Sequence, residues 1–228
     1  MLRISFWVFA RFLILQNMSQ PSFDILNKPQ REIFEKLTSL KKEAVLAGGT
    51  ALLLQIQHRQ SFDFDLFFAR ELERNDLIKL KKTISIKEVG LNTKEQINII
   101  TANDVLINLV FYPFPFIFPQ EKTAVIPLAS IKDIALDKAY TIGRRALWRD
   151  YVDMFFLLKD NHITLSEISA SAPKKFGPEF NERLFLEQLI FFGDIEIVKI
   201  SFLKEQFEEE EIKKFFTSSV QSYRQKIL

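Results

Sequence analysis

At 228 residues the chain has room for one domain, or for one core domain with a helical appendage. A formal net charge of +2 excludes a molecule that is strongly basic throughout, so any nucleic-acid contact must rest on a local surface. The lack of cysteine excludes disulfides and cysteine-based metal sites, while 47% hydrophobic and 26% charged residues is the balance of an ordinary globular protein.

Residues 1–17 are apolar but carry Arg3 and Arg11. The unbroken apolar run falls short of the ~20 residues that a bilayer span needs, so no stable membrane insertion is expected. Its charged start resembles a signal peptide, but it lacks a convincing small-residue cleavage site. Three readings stand: a start misassigned upstream of Met18, an interfacial segment, or a helix covering the core. Residues 1–24 are therefore set apart as an extension. A core is expected at 25–128 and a helical region at 129–228.

Residues 29–42 read as a helix. Pro29 suits a first turn, and Ile33, Phe34, Leu37 and Leu40 recur at helical spacing. Ala44–Ala47 reads as a short buried strand that runs into Gly48 and Gly49. Without Cβ atoms, two glycines let the backbone bend sharply and approach a bulky anion. The apolar run 51–56 then reads as a buried helix. A glycine turn feeding a helix N-terminus offers unpaired N–H groups to a phosphate.

After a polar joint at His58 and Arg59, Phe62-Asp63-Phe64-Asp65-Leu66 alternates with period two. On a strand this puts Asp63 and Asp65 on one face, roughly 6–7 Å apart, and Phe62, Phe64 and Leu66 on the other. Two carboxylates so placed can converge on a hard cation such as Mg²⁺, which takes oxygen ligands from one or two carboxylates and substrate phosphates. Arg59, at a helix C-terminal end, would offset the helix dipole. His58 has no neighbouring His or Cys to complete a zinc site.

Residues 72–82 read as an amphipathic helix, and 84–89, 97–101 and 105–112 as strands rich in β-branched residues. Asn103-Asp104 suits the turn between the last two. Tyr112-Pro113-Phe114-Pro115-Phe116 cannot be a central strand; it reads as a lid on the core or as a stacking surface for a nucleobase or partner. Residues 130–144 read as a helix capped by Ser130 and Asp133, with Lys138 set among apolar neighbours. Residues 144–158, RRALWRDYVDMFFLL, place Asp150 and Asp153 on one helix face. Arg149 is the expected partner of Asp150, and Lys138 or Arg144 that of Asp153. Residues 165–170, 179–192 and 204–226 read as helices, with Pro173 and Pro178 as breaks and Glu208 to Glu211 as a solvated face. Strands grouped early and helices gathered late argue for an α+β fold with a mixed sheet.

Ala47-Gly48-Gly49 with Asp63-Phe64-Asp65 downstream resembles the signature of the polymerase-beta-like nucleotidyltransferase superfamily. The longer string GGTALLLQIQHRQSFDFDLF resembles the AbiEii/AbiGii-type (MenT-like) toxin family, where a His-Arg-x-Ser-x-Asp-x-Asp segment follows a Gly-Gly-Thr-Ala-Leu opening. Residues 149–158 resemble that family's Arg-Asp-x-x-Asp-Leu helix, with Met154 in place of leucine, and Lys138 falls where the family carries a functional lysine.

The resemblance implies a polymerase-beta-like core with a mixed sheet flanked by helices and a C-terminal helical region completing the site. It implies transfer of a nucleoside monophosphate from an NTP to an acceptor, with Mg²⁺ in a one- or two-metal arrangement. Gly48, Gly49, Thr50, Arg59, Ser61 and Lys138 would bind the nucleotide, and Asp63 and Asp65 the metal. Asp63, Asp65, Lys138 and Asp150 would form the catalytic set. The implied partners are an RNA acceptor, tRNA first, and a cognate antitoxin such as a DNA-binding regulator. The implied setting is cytoplasmic phage defence by abortive infection. One departure stands out: Asn108 occupies the strand position where the superfamily usually carries a third carboxylate. A degenerate nucleotide-binding module therefore stays open as an alternative, and the modest net charge keeps open a transferase acting on a protein or small molecule.

Overall fold

The computed structural model describes residues 21–145 and 147–227. The reading of residues 1–17, including the choice between Met1 and Met18, lies outside them. The first helix, α1, spans Lys28–Lys36 and starts on a reciprocal cap: the Asn27 side chain accepts from the Gln30 N–H at 2.9 Å, and Gln30 Oε1 accepts from the Asn27 N–H at 3.3 Å. It tightens into a 3-10 turn at Leu37–Leu40, so the α-helix ends sooner than its apolar spacing suggests.

Strand β1, Ala44–Ala47, leads directly into helix α2, Gly48–Ile56, whose residues from Thr50 to Ile56 are all buried. Strand β2, Phe64–Phe68, returns antiparallel to β1. After helix α3, Arg74–Lys81, a meander of β3 (Ile86–Asn92), β4 (Gln96–Thr101) and β5 (Leu106–Phe111) completes a sheet of order β1-β2-β5-β4-β3. The β2–β5 pair is parallel and its neighbours are antiparallel, so the sheet is mixed. Asp104 takes the left-handed conformation, φ 56°, in the β4–β5 turn, as the Asn-Asp step suggests.

Alternation sorts the sheet faces. Phe64, Leu66 and Phe68 of β2, Ile107 and Leu109 of β5, and Ile97 and Ile99 of β4 are buried. The opposite face carries Asp65, Asn108 and Asn98 in register across three strands. Phe62 breaks the expected pattern: β2 begins only at Phe64, and Phe62 is 58% exposed.

Five helices follow: α4 (Ile131–Ile142), α5 (Trp148–Lys159), α6 (Leu165–Phe176), α7 (Glu182–Gln188) and α8 (Glu209–Ile227). Two expectations are corrected here. Pro173 does not break its helix but lies inside α6, and α7 is shorter than the segment 179–192 expected to be helical. Glu209, Glu210 and Glu211 form the first turn of α8, where negative charge suits the helix dipole. The Pro-interrupted loop folds inward, with Phe114 against Tyr140 and Phe176 at ring separations of 5.4 and 5.0 Å. The fully buried Lys175 ammonium ties α6 to α4 through Asp133 at 3.0 Å and Asp137 at 2.7 Å.

The two halves meet at β1. Leu46 donates its N–H to the Pro127 carbonyl at 2.9 Å and accepts from the Ala129 N–H at 2.8 Å. One hydrophobic cluster contains residues from Leu26 through Tyr223.

Candidate active site

Helix α2 enters the site through its glycines. Gly48 holds φ +67°, a left-handed conformation that L side chains rarely adopt, and a Cβ there would lie 2.2 Å from Asp65 Oδ2. A Cβ on Gly49 would lie 2.9 Å from Ser61 Oγ and 3.1 Å from an Arg59 guanidinium nitrogen. The turn is therefore wedged between the β2 carboxylate and the joint that precedes β2. Ala47 caps α2 without a side-chain hydrogen bond, which leaves the first-turn N–H groups for another acceptor.

Thr50 is fully buried and works as a strut. Its hydroxyl shares a hydrogen bond with the Ser61 hydroxyl at 3.0 Å and donates to the Asp63 carbonyl at 2.5 Å. Gln30 of α1 donates to the Ser61 carbonyl at 2.8 Å. The segment carrying Asp63 is thus pinned on both sides.

Asp63 and Asp65 are half-buried at the entry of β2. Burial, then the Asp65 charge, push the Asp63 carboxyl above the usual carboxylate range, against the opposing charges of Arg149 and Arg59. A cation between the two carboxylates would relieve both effects. Among the described residues no group of three His, Cys, Asp or Glu side chains forms a metal site, so this pair would rely on substrate oxygens to complete its shell. Asn108 faces Asp65 in register on β5, and its amide donates to Asp65 Oδ1 at 2.8 Å. Where a third carboxylate would add charge, Asn108 orients the second one.

The remaining polar residues form a buried ion network. Asp153 of α5 receives the Arg59 fork, with Nε at 2.6 Å and Nη2 at 2.8 Å, together with His58 Nε2 at 2.7 Å and Lys138 Nζ at 2.6 Å. Lys138 also meets Asp150 at 2.6 Å, and Arg145 reaches the other Asp150 oxygen at 3.1 Å. Burial alone would raise the Asp153 pKa; the Arg59 and Lys138 charges and the His58 hydrogen bond hold it well below the carboxylate range. Burial would likewise lower Lys138, but Asp153 and Asp150 keep it raised. For His58 burial prevails over Asp153, so the imidazole is held neutral, with Nδ1 buried and unpartnered.

One of the two partners expected for Asp153 is found, and the one expected for Asp150 is not. Asp153 takes Lys138, not Arg144, whose guanidinium instead stacks 3.5 Å over the Tyr140 ring. Asp150 is paired by Lys138 and Arg145, not by Arg149, which is exposed. His58, Arg145 and Gln30 join the site unforeseen. So does the strap after α7: Leu147 bridges to Glu196, Gln60 donates to the Ser201 carbonyl at 2.8 Å, and Leu203 donates to the His58 carbonyl at 3.0 Å. Lys204 reaches the Ile56 carbonyl at the end of α2 at 2.8 Å. The strap has no helical period, and that irregularity is its one trace in the sequence.

A glycine turn facing an acidic strand pair, on a mixed sheet backed by helices, defines the class: the fold is that of a nucleotidyltransferase. A crystal structure of a Helicobacter pylori protein assigned as a nucleotidyltransferase has this fold, with a TM-score of 0.55 at 19% identity over 87% of this chain and 93% of that one. The model of the family "Nucleotidyl transferase AbiEii toxin, Type IV TA system" matches residues 84–226, more than half of the chain, and the chain belongs to that family. The matched region contains Asn108, Lys138, Asp150 and Asp153; the glycines and the acidic pair precede it. An uncharacterised Aquifex aeolicus protein is 29% identical over 208 residues, 87% of this chain and 97% of the relative.

Proposed function

We propose that the chain transfers a nucleoside monophosphate from an NTP to an RNA acceptor, tRNA being the first choice, and releases pyrophosphate. The observation that carries this reading is the fit of Gly48 against Asp65, where a Cβ would lie 2.2 Å from the carboxylate. A phosphate-binding turn is thereby held against a metal-binding pair. Asp63 and Asp65 would hold Mg²⁺, whose charge stabilises the phosphoryl group in transfer. The Gly48–Gly49 turn and the uncapped first-turn N–H groups of α2 would bind phosphate oxygens. Thr50 and Ser61 hold the turn and the acid-bearing segment in fixed relation, and Asn108 orients Asp65. Lys138 and Asp150 act here through the ion network, setting α5 against the joint at Arg59. Such chemistry depends on positioning and electrostatics more than on reactive side chains.

As a type IV family member the chain would be paired with an antitoxin, and toxicity in abortive infection would follow from the modified acceptor. Among the described residues no helix is long and apolar enough to cross a membrane. A second reading, a nucleotide-binding module without transfer, is favoured by one observation: Asn108 leaves the site with two carboxylates.

The test is to incubate the purified protein with Mg²⁺, each α-³²P NTP in turn, and total tRNA or lysate, beside Asp63→Ala and Asp65→Ala variants. Label in RNA, lost in both variants, is the expected result. Label in a protein band or small molecule would change the acceptor and keep the chemistry. Nucleotide binding without transfer would favour the second reading, and Asn108→Asp would then be the variant to assay.

A further inference from the structure

Resting on the nucleotidyl-transfer reading above, we infer that a row of amides on the sheet, Asn108, Asn98 and Gln96, receives the terminal base of the RNA acceptor strand. The row starts at the acidic pair. Asp65, Asn108 and Asn98 lie in register on β2, β5 and β4, and Asn108 donates to Asp65 Oδ1 at 2.8 Å. Gln96 shares the face of Asn98 and donates to its Oδ1 at 2.8 Å. All four residues are half-buried, while Ile97, Ile99, Ile107 and Leu109 between them turn to the core.

Direction separates acceptor from nucleotide. The Gly48 turn follows β1, on one side of Asp65, and there the phosphates of the NTP would bind. The amides leave Asp65 on its other side, because the sheet runs β1-β2-β5-β4-β3. In phosphoryl transfer the attacking and leaving oxygens lie roughly in line, so the acceptor enters opposite the pyrophosphate. Its hydroxyl attacks beside Asp65, and its base reaches along the row. Asn98 stands two strand spacings from Asp65, roughly 10 Å, which is beyond the ribose. Among the described residues nothing takes the Asn98 side-chain N–H groups, Gln96 Oε1 or Asn108 Oδ1. One donor thus lies beside two acceptors with no charge among them, a pattern that suits a base edge and not a phosphate. Gly90 of β3 leaves room for the base. A Cβ there would lie 3.8 Å from Asn98 Cβ, so any longer side chain would stand against the amide.

Binding without turnover tests this. The probes are 5′-fluorescein single-stranded RNAs ending in each of the four bases, the same strand with an abasic 3′-terminal residue, and mant-labelled NTPs measured without RNA. The wild type should bind at least one complete strand roughly 10-fold more tightly than the abasic one. Asn98→Ala should bind the two forms alike and keep its affinity for NTPs. Gly90→Val should abolish the preference by bulk alone. Its Cβ makes an ordinary contact, its φ is not left-handed, and valine suits a strand, so its melting curve should not fall below that of the wild type. A wild type that binds no RNA, or binds both forms equally, overturns the inference. So does a preference retained in either variant, or a loss of NTP affinity in Asn98→Ala, which would give the row to the incoming nucleotide. Absence of label transfer with the terminal-base preference intact would sink the transfer reading alone. Label transferred to a protein by a wild type that binds no RNA would sink this inference and keep the chemistry.

Discussion

Gly48 shows how much one missing methyl group decides. The φ of +67° already disfavours any L side chain, by about 1–2 kcal/mol, and the added Cβ would press on Asp65 Oδ2. Gly48→Ala is expected to displace Asp65 and lower transfer by about 100-fold or more, as misplacement on the ångström scale does, with only a modest drop in melting temperature. A variant that transfers label at the wild-type rate would show that the glycine serves the turn alone. Asp63 makes the complementary case through pH. Its folded pKa is raised, by burial first and Asp65 second, so its ionisation costs more in the folded chain than in the unfolded one. That cost appears as pH rises from the unfolded carboxylate value, about 3.9, through the higher folded value, and it persists at neutral pH. Asp63→Asn should therefore melt above the wild type at pH 7 and lose the advantage in acid. Coincident melts at both pH values would contradict this.

Helix α5 is held to the rest of the site chiefly through Asp153, which joins it to the His58–Arg59 joint and to Lys138 of α4. Removing that charge leaves Arg59 buried without a carboxylate and Lys138 with Asp150 alone, a loss of about 3–5 kcal/mol. Asp153→Asn is expected to show it in the urea midpoint. The sign with pH opposes that of Asp63. Because the folded pKa of Asp153 is depressed, its stabilisation is present in full above the unfolded value of about 3.9 and disappears as pH falls below that toward the folded value. The gap between wild type and variant should then narrow on acidification; a gap independent of pH would rule out the ion network as its source. Strap 196–203 adds a second tie, made by backbone groups of Gln60 and Leu203, so the joint between α2 and β2 is fastened from two sides.

Across the molecule the sheet and the late helices share one core. The edge of β1 is completed by Pro127 and Ala129, and Arg59, before β2, finds its carboxylate on α5. A fragment of residues 21–128 would expose the apolar surface that α4 and α5 cover. It is expected to show no cooperative thermal transition, whereas the full chain should melt in one; circular dichroism on both proteins distinguishes the cases. A fragment that melts cooperatively would support the division at residue 128 as a true domain boundary.

Much of the fold was legible because its signals are local. The β1 range follows from four small or branched apolar residues before a glycine pair. The α4 cap follows from Ser130 and Asp133, whose N–H does donate to Ser130 Oγ at 2.9 Å. Alternation put Asp65 on the face opposite Phe64 and Leu66, because side-chain direction on a strand is set by the backbone itself. It did not extend to Phe62 and Asp63, which precede β2, since alternation cannot say where a strand starts. Pro173 misled for a related reason: a proline weakens a helix locally, but α6 is kept helical through the packing of Ile168, Ala172 and Phe176, all buried. The partners of the charged residues were legible only where helix spacing suggested them: Lys138 was one of two partners expected for Asp153, but Arg59 was not. Arg59 and Asp153 are 94 residues apart, and adjacent Asp150 and Arg149 do not pair. Local pattern thus determined the elements, the glycine turn and the neighbouring acidic residues. Only the tertiary structure decided which charges are buried against each other, because a buried charge takes its partner from whatever side chain shares its cavity, at any distance along the chain.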